Sequence, residues 1–228
     1  NGAGEGKPGQ MAEKSAIGFT YTAGSSNSYR VSLPYVTQWV KASDIVLAVE
    51  GSLSTTPSRI DRIAIWNPAG QNFSVFGWQA GVNAWIGNDF AIDAGTISSN
   101  AVYLHSLSVF SLPIAGLSKE QPLFFKYNPD KANANKRCLP YSSAYHKASD
   151  IVIDIEGGTG PGTNTKINRL AVWDVPTQSY KAYGYSAGSG WIIGTDFDIV
   201  PGDAINIYLS GNTSSFTWMP RLSLTPVP

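Results

Sequence analysis

Apolar side chains recur at every second position in several short runs of this chain. Ile17, Phe19 and Tyr21 alternate with small or polar residues, and Leu123, Phe125 and Tyr127 do the same, which is the period of a strand with one buried face. Ile63 and Ile65 alternate with Arg62, Ala64 and Trp66. An aromatic run, Phe73, Val75 and Phe76-Gly77-Trp78, is answered by Tyr180, Ala182 and Tyr183-Gly184-Tyr185. Phe90-Ala91-Ile92 and Phe197-Asp198-Ile199 lead into Gly95 and Pro201-Gly202, which are turn signals, and then into strands ending Tyr103-Leu104 and Tyr208-Leu209. The segments Lys41-Ala42-Ser43-Asp44 and Lys147-Ala148-Ser149-Asp150 are ambiguous. Ile151, Ile153 and Ile155 alternate like a strand, yet Ser followed by Asp, an apolar stretch and then Gly51 or Gly157 fits a short capped helix, and one to two helical turns are expected there.

These runs come twice. Lys41-Ala42-Ser43-Asp44-Ile45-Val46 returns as Lys147-Ala148-Ser149-Asp150-Ile151-Val152, and Leu33-Pro34-Tyr35 returns as Leu139-Pro140-Tyr141, both at a shift of 106 (147 − 41 and 139 − 33). The order of motifs is kept, with Trp66 matching Trp173, Trp85 matching Trp191 and Asp89-Phe90 matching Asp196-Phe197. A repeat of about 100 residues is long enough to hold its own core. The division predicted is an N-terminal extension at 1–15, a first repeat domain at 16–116 and a second at 117–228. Each domain is expected to be an all-β antiparallel sandwich or barrel with at most a short helix. Each copy is an internal control for the other: a group found in one copy only is not required by the fold.

Composition narrows the function classes. Charged residues make up 14% of the chain, against a usual share of about 25%. Residues 63–88 carry no charge at all, but Pro and Gly break that run, so no membrane span is read there. Lys and Arg total 16 against 16 Asp and Glu, which leaves no basic surface for nucleic acid. The lone Cys138 excludes an internal disulfide and any cysteine-based metal cluster, and its first-copy counterpart is Ser32, so a small buried strand residue is expected.

Candidate chemistry is thin. Gly184-Tyr185-Ser186-Ala187-Gly188 fits the nucleophile-elbow pattern, but the following segment reads as a strand, the last histidine, His146, lies upstream, and the first copy has Gln79 at that place. A turn is expected instead. His105 and His146 pair with Ser210 and Val40, sit in no metal-ligand spacing, and read as surface or packing residues. Asp44/Asp150, Asp89/Asp196 and Glu50/Glu156 occur in both copies, which points to capping and turn bonding. Asp196, Asp198 and Asp203 are a calcium alternative outside any recognised loop pattern. No catalytic residue, cofactor or metal site is assigned. Trp66/Trp173 and Trp85/Trp191 read as core, whereas Trp39, Trp78 and Trp218 vary between copies and are the candidate ligand-stacking aromatics.

The repeat resembles a module of secreted bacterial and archaeal surface proteins. The resemblance rests on Ser32-Leu33-Pro34-Tyr35, on Ala42-Ser43-Asp44-Ile45, on the strand from Ile60 to Asn67 with Gln71 after it, and on Gly194-Thr195-Asp196-Phe197-Asp198-Ile199 with Pro201-Gly202. It covers most of both copies and implies secretion and a β fold, with no activity attached; the first copy departs from it at Asp93-Ala94-Gly95, where Pro is absent. The expected protein is therefore an extracellular structural subunit, released from a signal peptide, that assembles with copies of itself into a filament or surface layer. The alternative is a carbohydrate-binding or adhesive module with a polysaccharide partner. The Gly-rich start, with Asn1, Gly2, Gly4, Gly6, Pro8 and Met11, is surplus to the repeat and is the candidate assembly segment.

Overall fold

In the computed structural model, residues 10–33, 36–92, 101–119, 122–200, 202–211 and 213–223 are described. The first half runs β1 (Gln10–Phe19), β2 (Ser28–Val31), β3 (Val36–Thr37), α1 (Ala42–Glu50), β4 (Ile60–Asn67), β5 (Asn72–Gln79), β6 (Ala84–Gly87), β7 (Val102–Ser106) and β8 (Phe110–Lys119). The second half repeats the plan as β9 (Leu123–Phe125), β10 (Ala134–Cys138), α2 (Ala148–Glu156), β11 (Ile167–Asp174), β12 (Ser179–Ser186), β13 (Gly190–Gly194), β14 (Ala204–Leu209) and β15 (Phe216–Trp218). Every pairing is antiparallel, and each half is built on one five-stranded sheet, β2-β7-β4-β5-β6 or β10-β14-β11-β12-β13. The fold is all-β with two short helices, as the alternation predicts.

The ambiguous segments are helices. Their buried positions, Ala42, Ile45, Val46 and Val49, follow the spacing of one helical face, and Ala148, Ile151, Val152 and Ile155 repeat it. Gly51 and Gly157 close them in the left-handed region at φ 76° and 83°. The serine is not the cap. Asp44 reaches back to accept the amides of Val40 and Lys41, and Asp150 those of His146 and Lys147, placing a carboxylate at the positive end of each helix dipole.

Each five-stranded sheet covers its inner face with the helix and a smaller sheet, β1-β8-β3 in the first half and β15-β9 in the second. One core gathers Phe19, Ile45, Ile63, Phe76, Phe90 and Leu104, the other Phe125, Ile151, Leu170, Trp191, Phe197 and Ile207. The outer faces meet in a third apolar cluster of Ala64, Ala101, Tyr103 and Cys138, flanked by Trp66 and Ala204. Cys138 is buried there as expected, and burial pushes its thiol up to about 11.

Three expectations are corrected. Tyr103 lies opposite Arg30 and Ala64, whereas Asn206 lies opposite Lys136 and Ala171, so the counterpart of Tyr103 is Asn206 and that of His105 is Tyr208, not Ser210. Turn and bulge lengths differ between the copies, and the hydrogen-bond ladder rather than a shared Tyr-Leu fixes the match. The first strand begins at Gln10, not Ile17, and pairs with β8 through ten positions from Gln10↔Lys119 to Phe19↔Phe110. Residues 10–15, placed in the extension, are therefore paired within their own chain; Asn1, Gly2, Gly4, Gly6 and Pro8 lie outside the described residues. Finally, Trp66, Trp85 and Trp173 are half-buried rather than core, unlike Trp191, Phe90 and Phe197.

Candidate functional site

The carboxylates shared by both copies hold the fold. Glu50 accepts the amides of Ser58, Arg59 and Ile60, and Glu156 those of Thr165, Lys166 and Ile167, so one side chain organises the entry into β4 and into β11. Asp89 accepts the amide and hydroxyl of Ser43, and Asp196 those of Ser149. These groups are engaged on internal donors.

Ser186 ends β12 where the chain turns directly into β13, and the turn closes with the Ser189 amide on the Ser186 carbonyl. This is strand–turn–strand, not the strand-to-helix geometry that exposes a nucleophile. His105 Nδ1 lies 2.6 Å from Asp61 on the neighbouring strand of the same sheet, and His146, in the second half, is exposed. The three carboxylates of the calcium alternative are engaged separately. Asp196 holds Ser149, Asp198 pairs with Lys147 at 2.6 Å, and Asp203 accepts the Val200 amide, and no metal-holding group of three such residues occurs among the described residues.

Asp203 lines an open groove of about 830 Å³ beside Trp173, Tyr180 and the Lys181–Asp174 ion pair. Burial pushes its carboxyl above the ordinary range. At low pH the group is neutral in both folded and unfolded states. As pH rises through the folded value, the carboxylate must form in a desolvated place, and the native state loses stability from it. Asp203→Asn is therefore expected to be more stable than the native chain at neutral pH, with the advantage closing toward about pH 3; urea unfolding at the two pH values measures it.

The candidate stacking aromatics separate on burial. Trp39 and Trp218 are 4% and 7% exposed and belong to the two cores, and Trp218 donates its ring N–H to Asp154 beside Tyr145. Differing between copies did not make them surface residues, because each packs against its own half's neighbours. Trp78 alone is partly open, edge-on to Trp85.

Two of the half-buried tryptophans, Trp66 and Trp173, join the halves. The Trp66 ring N–H donates to the Ala134 carbonyl at 3.0 Å, and Gln71 brackets the same residue, its amide NH₂ donating to that carbonyl at 2.9 Å and its oxygen accepting the Ala134 N–H at 2.9 Å. Reciprocally, the Trp173 ring N–H donates to the Ser28 carbonyl at 2.7 Å, and Gln178 accepts the Ser28 N–H at 2.7 Å. Ser28 and Ala134 are the same position 106 apart (134 − 28), the first residues of β2 and β10. Both glutamines sit in left-handed turns, at φ 52° and 50°, which aims them across the boundary.

Two cations complete this clamp at equivalent places. Arg30 lies 4.0 Å over the Tyr103 ring and 4.3 Å over Trp173; Lys136 lies 4.6 Å over Trp66 and donates to the Tyr180 hydroxyl at 3.3 Å. Burial first, opposed by Tyr180, holds Lys136 below the usual lysine range, and burial raises the Tyr103 phenol. The Trp-to-Gln spacing of five residues, identical in both copies, is the available sequence signal for Gln71 and Gln178; Arg30 and Lys136 carry none, because no local pattern links them to a partner in the other module. The arrangement recognises main-chain groups on the edge of another module.

Comparison with known proteins returns no match, whether to family models, to curated proteins or to solved structures.

Proposed function

We propose that the protein is a structural subunit that associates with copies of itself into an extracellular filament or surface layer. The observation that supports this most is the reciprocal clamp: among the described residues each module grips the strand edge of another module, through Trp66 with Gln71 and Trp173 with Gln178. A surface low in charge favours close packing of subunits. The resemblance to secreted surface modules supports the extracellular setting. Among the described residues no helix is long and apolar enough to cross a membrane. Negative-stain electron microscopy of the untagged protein is expected to show long polymers or sheets; particles that stay dispersed as concentration rises would exclude the reading.

A carbohydrate-binding reading keeps one observation. Tyr185, the counterpart of Trp78, borders an open groove of about 470 Å³ with Arg169, Ile193 and Tyr208, an aromatic face beside a guanidinium. Titration with soluble polysaccharides, followed by tryptophan fluorescence, separates the two readings.

A further inference from the structure

The two copies treat the same strand edge differently. In the second half, Arg137 donates to the Phe124 carbonyl, and Asn135 engages both the amide and the carbonyl of Lys126. Even-numbered residues there turn their main-chain groups away from β15, and buried side chains from β10 meet them. Gly18 and Thr20 stand 106 before Phe124 and Lys126 (124 − 18 and 126 − 20). Tyr29, at the place of Asn135, engages the Thr20 amide at 2.7 Å and also its carbonyl. Val31 stands where Arg137 does, and it has no donor to offer Gly18. A Cβ built on Gly18 meets nothing within 4 Å.

β1 then continues for eight further residues as the outer strand of β1-β8-β3. Its even-numbered main-chain groups, at Gln10, Ala12, Lys14, Ala16 and Gly18, meet no partner among the described residues. The strand has no proline and no bulge.

The other edges are short or protected. Gln178 and Gln71 clamp the starts of β2 and β10. β13 is irregular at Ile192, and the Trp191 amide donates to Thr159. β6 has four residues, β3 has two, and the β9–β15 pair ends at Pro122 and Pro220. Natural sheets protect their edges, so a ten-residue edge that meets no partner among the described residues calls for a partner strand.

We infer that β1 docks on β1 of a second copy, antiparallel about a two-fold axis, joining two three-stranded sheets into one. A second copy offers one open edge of matching length, its own β1, and an isologous contact is how identical surfaces meet. An axis on Glu13 or Lys14 sets like charges opposite one another, which is destabilising. Of the remaining positions Ser15 pairs the greatest length of the strand, residues 11–19, so the axis falls there, with Lys14 opposite Ala16 and Ala12 opposite Gly18. This contact rests on the self-association reading and supplies one of its interfaces; a two-fold contact closes on itself, so growth into a polymer uses another.

Ser15 falls at a non-hydrogen-bonded position of the new ladder, where paired Cα atoms stand about 4.5 Å apart, within the range of about 4.4–6.8 Å that a disulfide spans. Ser15→Cys is expected to give a disulfide-linked dimer under mild oxidation, since Cys138 is buried. Adding Ala16→Pro, which removes an outward amide while leaving the bonds to β8, should abolish the link. In the wild-type protein, amide exchange at Ala12, Lys14, Ala16 and Gly18 should slow about tenfold or more as concentration rises. A Ser15→Cys chain that stays monomeric, or amides whose exchange is the same at every concentration, overturns the inference, the second result also meaning cover from within the same chain. Wild-type protein that never associates defeats the assembly reading itself, whereas polymers that form normally in Ala16→Pro defeat only this contact.

Discussion

Alanine at both Trp66 and Trp173 is expected to uncouple the two halves. Each substitution removes a ring N–H bond to the other half's backbone, at 3.0 and 2.7 Å, and strips an aromatic face from a cation, the buried Lys136 or the half-buried Arg30. Half-buried tryptophans place the cost at the low end of the large-to-small range, about 3 kcal/mol each. Most of that is lost from the contact between halves, because the two main cores contain neither residue among their buried members. Calorimetry should resolve two transitions where the native chain has one. Cys138, in the cluster between the sheets, should become reactive to a thiol reagent before either half unfolds. A single transition with an unreactive Cys138 would mean that the halves are held by something other than the clamp.

Glu156→Ala is expected to be, with its counterpart Glu50→Ala, the most damaging change among the repeated polar residues. Its carboxylate accepts three consecutive amides and the Thr165 hydroxyl, and the Ile167 amide belongs to a residue with 0% exposure. Bonds to a charged acceptor are each worth about 1.5–3 kcal/mol, while exposed amides regain water, so a net loss of about 3 kcal/mol follows. For a chain of this size that lowers the melting temperature by roughly 6–12 °C. Glu156→Gln keeps one acceptor oxygen and should lose about half as much. Glu50→Ala should behave the same way in the first half, since Glu50 binds Ser58, Arg59 and Ile60 in the same pattern. Equal stability of Glu156→Ala and the native chain, measured by thermal unfolding, would remove the carboxylate from this role.

The repeat makes much of the fold legible in the sequence. Residues that recur at fixed spacing do so because the same local geometry needs them twice: Asp44 and Asp150 under a helix, Glu50 and Glu156 at a strand entry, Gly51 and Gly157 in the left-handed region. The strand period is equally local, since alternation follows from the two faces of a pleated backbone. The clamp was legible only in half. Trp66 and Trp173 stood out, but one strand face looks apolar in sequence whether it meets its own core or another domain, and hydrophobicity carries no direction.

Sequence by itself determined the duplication, the β class and the structural use of the shared carboxylates, all of which depend on contacts within a few dozen residues, and left the two Lys-Ala-Ser-Asp segments open between helix and strand. Tertiary structure decided which aromatics are buried, where β1 begins, how the copies align at Tyr103 and Asn206, and that Gln71 and Gln178 reach across to the opposite half. Those outcomes depend on pairing between strands about 100 residues apart, such as Gln10 with Lys119. A register of that kind is set by which edges close and which faces meet, and no local pattern in the chain encodes it.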